Sequence, residues 1–117
     1  MNDYTAVDHR VLDNLISAIG AEAAADFALR FVQDCRDRVH RIQQAYEAGH
    51  VDEVIHETHT LGSSAATYGL RSLEVLCRKI ENADPPSWTE QEISLLVNEA
   101  REGRAQLLAC LDLEAPG

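Results

Sequence analysis

Two histidines three residues apart, His56 and His59, are the side chains best placed to do chemistry in this sequence. If the segment is helical, the neighbours of His59 over the next two turns are Gly62, Ser63 and Ala66, all of them small. A free imidazole has a pKa of about 6.5, so at pH 7 one ring nitrogen is usually unprotonated and nucleophilic. Such a nitrogen can attack a phosphoryl group and hold it as a phosphoramidate. His59 is therefore a candidate phosphate acceptor, and an ordinary solvated histidine is the alternative interpretation.

Metal binding is the second chemistry that the histidines allow. Glu53 and His56 have the Glu-x-x-His spacing of ligands in carboxylate-bridged di-iron bundles, which need a matching pair on another helix. The other such pair, Glu47 and His50, straddles Gly49, which is predicted to end a helix. Glu53 and His56 also lie off the predicted core face of their own helix. The sequence therefore predicts no metal site, and a metal-binding helix bundle is the less favoured alternative.

The composition predicts one all-α globular domain. The chain has 117 residues, of which 45% are hydrophobic, enough for a single core. Alanine and leucine are abundant, runs of β-branched residues are missing, and all three prolines lie at or after position 85. The domain is predicted to extend over residues 1–117.

The charge and the cysteines restrict the expected partners and location. A formal net charge of −10 repels nucleic-acid phosphates and anionic lipid surfaces, so neither is an expected partner. No stretch has the length and apolarity of a membrane span, and no signal-peptide pattern begins the sequence. Cys35, Cys77 and Cys110 are widely separated and odd in number, which favours reduced thiols in a cytoplasmic protein over a disulfide framework.

Apolar periodicity and capping residues predict five helices. The first runs from Asp8, as N-cap, to Ile19, the second over 21–48, the third from 51 or 52 to about 68, and the fourth over about 70–82. Thr89 and Glu92 form a capping-box pattern that begins the fifth, which carries apolar residues to position 111. Short connections make sequential helices antiparallel. The predicted architecture is an antiparallel four-helix bundle over about residues 20–111, with a short N-terminal helix over about 8–19 as a lid.

Periodicity also assigns the faces of the helices. On the third helix, His59 lies about 130° round from the centre of the core face and is expected to be exposed. On the second helix, Leu29 lies off the buried stripe and Val32 lies at its edge. The predicted core face of the third helix contains Val54, Thr58, Leu61 and Ala65, and the buried stripe of the second contains Ala24, Phe27, Ala28, Phe31, Cys35, Val39, Ile42 and Tyr46.

The segment from His59 to Gly69, HTLGSSAATYG, resembles the motif of the histidine-containing phosphotransfer (HPt) domain. In that motif a histidine, a leucine, small residues and a final glycine occur at the same spacing. The turn from Ala48 to His50 is similar to the one that precedes the family's motif helix, and residues 73–81 are similar to the helix that follows it. The resemblance covers about residues 20–111.

This resemblance implies a function. HPt domains are small all-α phosphoproteins that relay phosphoryl groups in multistep phosphorelays of two-component signal transduction, usually without kinase activity of their own. His59 would accept a phosphoryl group from the aspartate of one receiver domain and pass it to another. The implied partners are response regulator receiver domains and a hybrid sensor kinase, with Mg²⁺ supplied by the receiver and no cofactor held by this chain. A monomer in the cytoplasm is expected.

The sequence departs from the family motif directly after the histidine. The family's lysine three residues on is Gly62 here, and its next glycine is Ser63. Together with Ser64, these residues are the expected surroundings of the phosphate, where the hydroxyl groups could donate hydrogen bonds. The missing positive charge has two possible sources. A partner's side chain could enter the space at Gly62, or a cation of this chain could replace the lysine; the candidates are Arg71, Arg78 and Lys79.

The resemblance also implies a docking face for receiver domains, formed by the motif helix and the helix before it. The candidates are Ile55, Ala66, Leu29 and Val32, although scattered apolar residues are also normal on any surface. The missing lysine motivates a further alternative. The chain could be a degenerate HPt-like adaptor that binds a receiver domain or a kinase without carrying phosphate.

Overall fold

The computed structural model describes residues 7–114, and in that range the chain forms five α-helices and no strand. The all-α prediction is therefore confirmed, and each predicted helix exists with bounds that differ by two residues at most. In chain order the helices are α1 (His9–Ile19), α2 (Ala21–Ala48), α3 (Val51–Thr67), α4 (Arg71–Glu81) and α5 (Glu90–Cys110).

Helices α2 to α5 form the bundle. Helix α3 packs against α2 and α4, and α5 closes the arrangement by packing against those same two helices. Helix α1 lies across α2 and α3, as expected for a lid. The predicted four-helix bundle with an additional N-terminal helix is confirmed. The fully buried large side chains of its core are Ile42, Leu61, Leu70, Leu73, Ile80, Leu96 and Leu107, with Val7 and Val54 beside them.

The helix ends are fixed by the capping groups that the sequence predicts. The Asp8 carboxylate accepts a hydrogen bond from the Arg10 backbone at 3.0 Å and begins α1. Thr89 and Glu92 exchange the reciprocal bonds of a capping box at the start of α5. Gly49 ends α2 with a left-handed φ of 76°.

Two predictions about the faces of α2 are wrong. Phe27 is 44% exposed, and Val32 is only 2% exposed. Helix α3 ends near the level of Phe27, where the hydroxyl of Tyr68 donates to the Phe27 carbonyl at 3.2 Å, so no further turn of α3 covers the phenyl ring. Val32 is buried because α2 packs against α5 and α1 as well as α3, which makes its covered face wider than one stripe.

Gly69 fastens the lid helix to the bundle, which gives a stability prediction. Its φ is +75°, and an added Cβ would lie 2.7 Å from the carbonyl oxygen of Asp8, whose amide donates to Gly69 O. Gly49 has a similar φ of +76°, but no atom lies within 4 Å of its added Cβ. We expect Gly69→Ala to lower the free energy of unfolding in urea by more than Gly49→Ala, whose cost of about 1–2 kcal/mol is that of the left-handed backbone alone.

Gly49→Ala is thus the matched control for backbone strain. Equal losses in the two variants would contradict the view that close contact with Asp8 holds α1 against the end of α3.

No helix within residues 7–114 is both long enough and apolar enough to cross a membrane.

Candidate functional site

The rotation of α3 places His59 on the surface of the bundle. Val54, Leu61 and Ala65 are buried in the core, which fixes the inward face of the helix. Thr58 is also buried, and its hydroxyl donates to the Val54 carbonyl at 2.8 Å, so this buried polar group is paired within the helix. The His59 side chain is 59% exposed, as periodicity predicts.

Glu81, the last residue of α4, holds one edge of the imidazole. Its Oε2 lies 2.5 Å from His59 Nδ1. Burial alone would raise the pKa of the Glu81 carboxyl, but hydrogen bonds from His59 and Arg78 outweigh burial and lower that pKa below its ordinary value. Glu81 is therefore ionised at neutral pH and can only accept hydrogen bonds.

This contact assigns the tautomer of the neutral ring. Because the Glu81 carboxylate can only accept, His59 Nδ1 must carry the proton and donate it. The lone pair of the neutral imidazole is then on Nε2, at the opposite edge of the ring from Glu81. The arrangement presents one defined nucleophilic nitrogen on a solvent-facing side chain.

Arg78, one turn before Glu81 on α4, completes the cluster. Its Nη1 donates to Glu81 Oε1 at 3.0 Å and lies 3.4 Å from the His59 carbonyl oxygen. Its Nη2 lies 3.4 Å from Ser63 Oγ. The guanidinium thus connects two groups. One is the Glu81 carboxylate, which orients His59, and the other is the Ser63 hydroxyl, one helical turn after His59 on α3.

Gly62 lies beneath this guanidinium and is buried. A Cβ added there would be 3.0 Å from both Arg78 Nη1 and Cys77 Cβ. The absence of a side chain therefore lets α4 approach α3 closely and leaves room for Arg78. The space that a partner's side chain could enter is occupied in this structure by the chain's own arginine.

The other residues considered for the phosphate surroundings are spread over the molecule. Ser63 is exposed and belongs to the cluster, whereas Ser64 is half-buried in a groove between α2 and α3. Arg71 pairs with Asp8 at 3.1 Å, near the lid helix. Lys79 lines a separate groove between α4 and α5. Of the three candidate cations, Arg78 is the one that the fold brings to His59.

Of the four predicted docking residues, one is buried and three are partly exposed. Val32 lies in the core, so it offers no surface to a partner. Leu29, Ile55 and Ala66 are each partly exposed. Phe27 was missing from the prediction, yet it is among the exposed large hydrophobic side chains, and its ring lies 5.9 Å from the Arg30 guanidinium carbon. It borders a groove of about 300 Å³ whose other walls include Ser64, Thr67 and Tyr68.

The histidines outside this cluster show no metal-binding geometry. Within residues 7–114, no group of three or more His, Cys, Asp or Glu side chains could hold a metal ion. His56 is exposed, and Glu53 pairs instead with His50 at 3.8 Å on the surface. The metal-bundle alternative has no ligand set in this part of the chain.

Sequence reasoning missed Glu81 as a site residue. A usable signal was present for Glu81, because it directly follows the buried Ile80 and lies at the border of the core face of α4, whereas Arg78 lies about 130° round from the centre of that face. Periodicity alone does not say which neighbouring helix that border meets. Helix α4 meets α3 there, directly beside His59.

Comparison with known protein families gives a match that covers the site. A family model described as Hpt domain matches residues 26–113, about three quarters of the chain. That span includes α3, α4 and all the residues of the His59 cluster. No curated protein and no solved structure gives a significant match.

Proposed function

The chain belongs to the Hpt domain family, and from this premise we propose that His59 is its phosphorylated residue in a multistep phosphorelay. Family members are phosphocarriers that interact with receiver domains of two-component systems. One observation carries the assignment to His59. Its ring is exposed, and Nδ1 is held by Glu81, so the nucleophilic lone pair lies on Nε2.

The transfer uses this geometry directly. The Nε2 lone pair attacks the phosphorus of a receiver domain's aspartyl phosphate, an N–P bond forms, and the P–O bond breaks as the aspartate carboxylate leaves. The ring then carries substituents on both nitrogens and is formally cationic. Its proton stays on Nδ1, and this N–H group donates a hydrogen bond to the Glu81 carboxylate, whose negative charge offsets that of the ring. Transfer to the next receiver domain reverses these steps.

The partner supplies the metal in this proposal. Mg²⁺ requires several oxygen ligands in octahedral geometry. The carboxylate beside His59 is that of Glu81, and both of its oxygens are already engaged, by His59 and Arg78. A receiver domain that brings its own Mg²⁺ and acidic residues meets this need, and the HPt chain holds no cofactor.

The test of this function is transfer from a phosphorylated receiver domain in the presence of Mg²⁺, followed by identification of the labelled residue. We expect the label on His59, and no label when Mg²⁺ and ATP are given without a kinase. A chain that binds receiver domains but remains unlabelled with several donors would instead be the degenerate adaptor. Arg78 weakens the case for the adaptor, because a cation adjoins His59 despite the missing lysine.

We expect Phe27→Ala to weaken receiver binding by about tenfold or more, since exposed aromatic side chains beside grooves commonly act as interface anchors. The affinity is measured by calorimetry with the unphosphorylated receiver domain. Val75→Ala is the matched control, because Val75 is 61% exposed but lies on α4, in the groove with α5. A loss of affinity in the control and not in Phe27→Ala would place the docking face elsewhere.

The same proposal extends to location and assembly. Cys35, Cys77 and Cys110 are free thiols in the structure, in keeping with a reducing cytoplasm. We propose a cytoplasmic monomer that works between a hybrid sensor kinase and a response regulator.

A further inference from the structure

The space above Gly62 is the feature that distinguishes this site. In an ordinary helix contact, a side chain at this buried position would point towards α4. Here the Arg78 guanidinium takes that place, with Nη1 and Cζ at 3.0 and 3.3 Å from the position of an added Cβ. Even the smallest side chain at position 62 would therefore press on the arginine and, also at 3.0 Å, on Cys77 Cβ. The glycine leaves room for both.

The contacts of Arg78 place its guanidinium beside the backbone of His59 and the hydroxyl of Ser63. Nη1 lies between the Glu81 carboxylate and the His59 carbonyl, and Nη2 lies beside the hydroxyl of Ser63. His59 and Ser63 are neighbours on one face of α3, one turn apart. The Arg78 side chain is 35% exposed, so its remaining donors can be reached from solvent.

A phosphoryl group on His59 needs such a cation. It adds close to two negative charges at Nε2 of a ring whose Nδ1 already faces the Glu81 carboxylate. An arginine can give two parallel hydrogen bonds to phosphoryl oxygens, and its charge is permanent. Arg71 is paired with Asp8, and Lys79 faces the groove with α5.

We infer that Arg78 is the cation that binds the phosphoryl group on His59, delivered from α4 through the space that Gly62 leaves open. The inference rests on the proposed function. The positive charge comes from Arg78 on α4, and Gly62 on α3 leaves the room that the arginine needs. A cation can therefore be carried at position 62 or at position 78, but not at both.

The experiment measures the equilibrium of phosphotransfer between a receiver domain and this chain in the presence of Mg²⁺. Removing one cation about 6 Å from a dianion in largely aqueous surroundings changes the equilibrium constant by roughly tenfold. We expect Arg78→Gln to lower phosphorylated His59 by about that factor and to shorten the half-life of the isolated phosphoprotein. Arg78→Lys, which keeps the charge, should recover part of the loss.

Two further arms separate direct binding from an effect through Glu81. Arg78→Gln is repeated in a Glu81→Gln background, where Arg78 no longer has a carboxylate to hold. Gly62→Lys/Arg78→Ala is compared with Gly62→Ala/Arg78→Ala. These two double variants share the same added Cβ and differ in the ammonium group. We expect Arg78→Gln to lower the amount of phosphorylated His59 further in the Glu81→Gln background. We also expect more phosphorylated His59 in Gly62→Lys/Arg78→Ala than in Gly62→Ala/Arg78→Ala.

The outcomes are distinguishable. If the wild-type chain is never labelled on His59, the proposed function fails. If the wild-type chain is labelled but Arg78→Gln behaves like it, only the role of Arg78 is overturned. If the loss disappears in the Glu81→Gln background, Arg78 is a positioning residue for Glu81 and does not bind phosphate. The single Arg78 variants keep the test valid even if the double variants fold poorly.

Discussion

His59→Gln should eliminate phosphorylation of this chain, while His56→Gln should leave it unchanged. Glutamine keeps a polar side chain of similar reach but has no nucleophilic ring nitrogen, so no phosphoramidate can form. Both histidines are exposed on α3, and neither side chain contributes to the core, so both variants should fold. The two positions differ in that His59 has a carboxylate on Nδ1.

The measurement uses a receiver domain labelled with radioactive phosphate, Mg²⁺, and each variant of this chain in turn. Label on the wild type and on His56→Gln, with none on His59→Gln, is the expected result. Label that persists in His59→Gln would show that the acceptor is another residue. Binding of the receiver domain by His59→Gln, measured separately, shows that the loss is chemical and not a failure to dock.

Glu81→Ala should slow phosphotransfer to His59 by about 10–100-fold, by analogy with the range seen when a carboxylate that orients a metal-ligating histidine is removed. Without Glu81, the neutral ring distributes its proton over both nitrogens, so Nε2 is less often the free nucleophile. The cationic phosphorylated ring also loses the carboxylate that faces it. Glu81→Gln keeps an oxygen that can accept a hydrogen bond from the Nδ1–H group but removes the charge, so a smaller loss is expected.

The rate alone would not separate orientation from general damage to the fold. Nitrogen-15 NMR of His59 reports its tautomer directly, and Glu81→Ala should shift the neutral ring away from the form protonated on Nδ1. An unchanged tautomer together with an unchanged rate would refute the role of Glu81.

The hydrogen bonds of Glu81 also make the stability of the fold depend on pH. His59 and Arg78 outweigh the effect of burial and lower the pKa of Glu81 below 4.5, so the interaction stabilises the fold above that pH. The stabilisation is lost as the pH falls through the lowered pKa.

Much of the fold follows from local patterns. The approximate bounds predicted for α2 agree with those observed, and the caps at Asp8, Gly49 and Thr89 were found where short-range hydrogen bonding places them. The exposure of His59 followed from the core residues Val54, Thr58, Leu61 and Ala65, which recur every three or four positions along α3 and leave His59 well off their shared face. These features depend on contacts within one or two helical turns, which the order of residues fixes directly.

The role of Gly62 could not be predicted from local sequence patterns. From the sequence, a glycine in place of a lysine suggested either a missing charge or an opening for a partner. Only the packing of α4 on α3 reveals that Arg78 fills the space and that Glu81 holds the imidazole, from positions 19 and 22 residues further along the chain. Periodicity reports the angle of a side chain about its own helix, not which helix lies opposite.

The sequence by itself determined an all-α bundle, an exposed His59 on a small-residue face, and a resemblance that the family match confirms. The tertiary structure alone decided that Val32 is buried, that Phe27 is exposed, and that a carboxylate and a guanidinium from α4 meet the histidine. The physical reason is the same in each case. Burial and electrostatic pairing between helices depend on the offset and rotation of whole helices against one another, and those are set by the packing of the entire core.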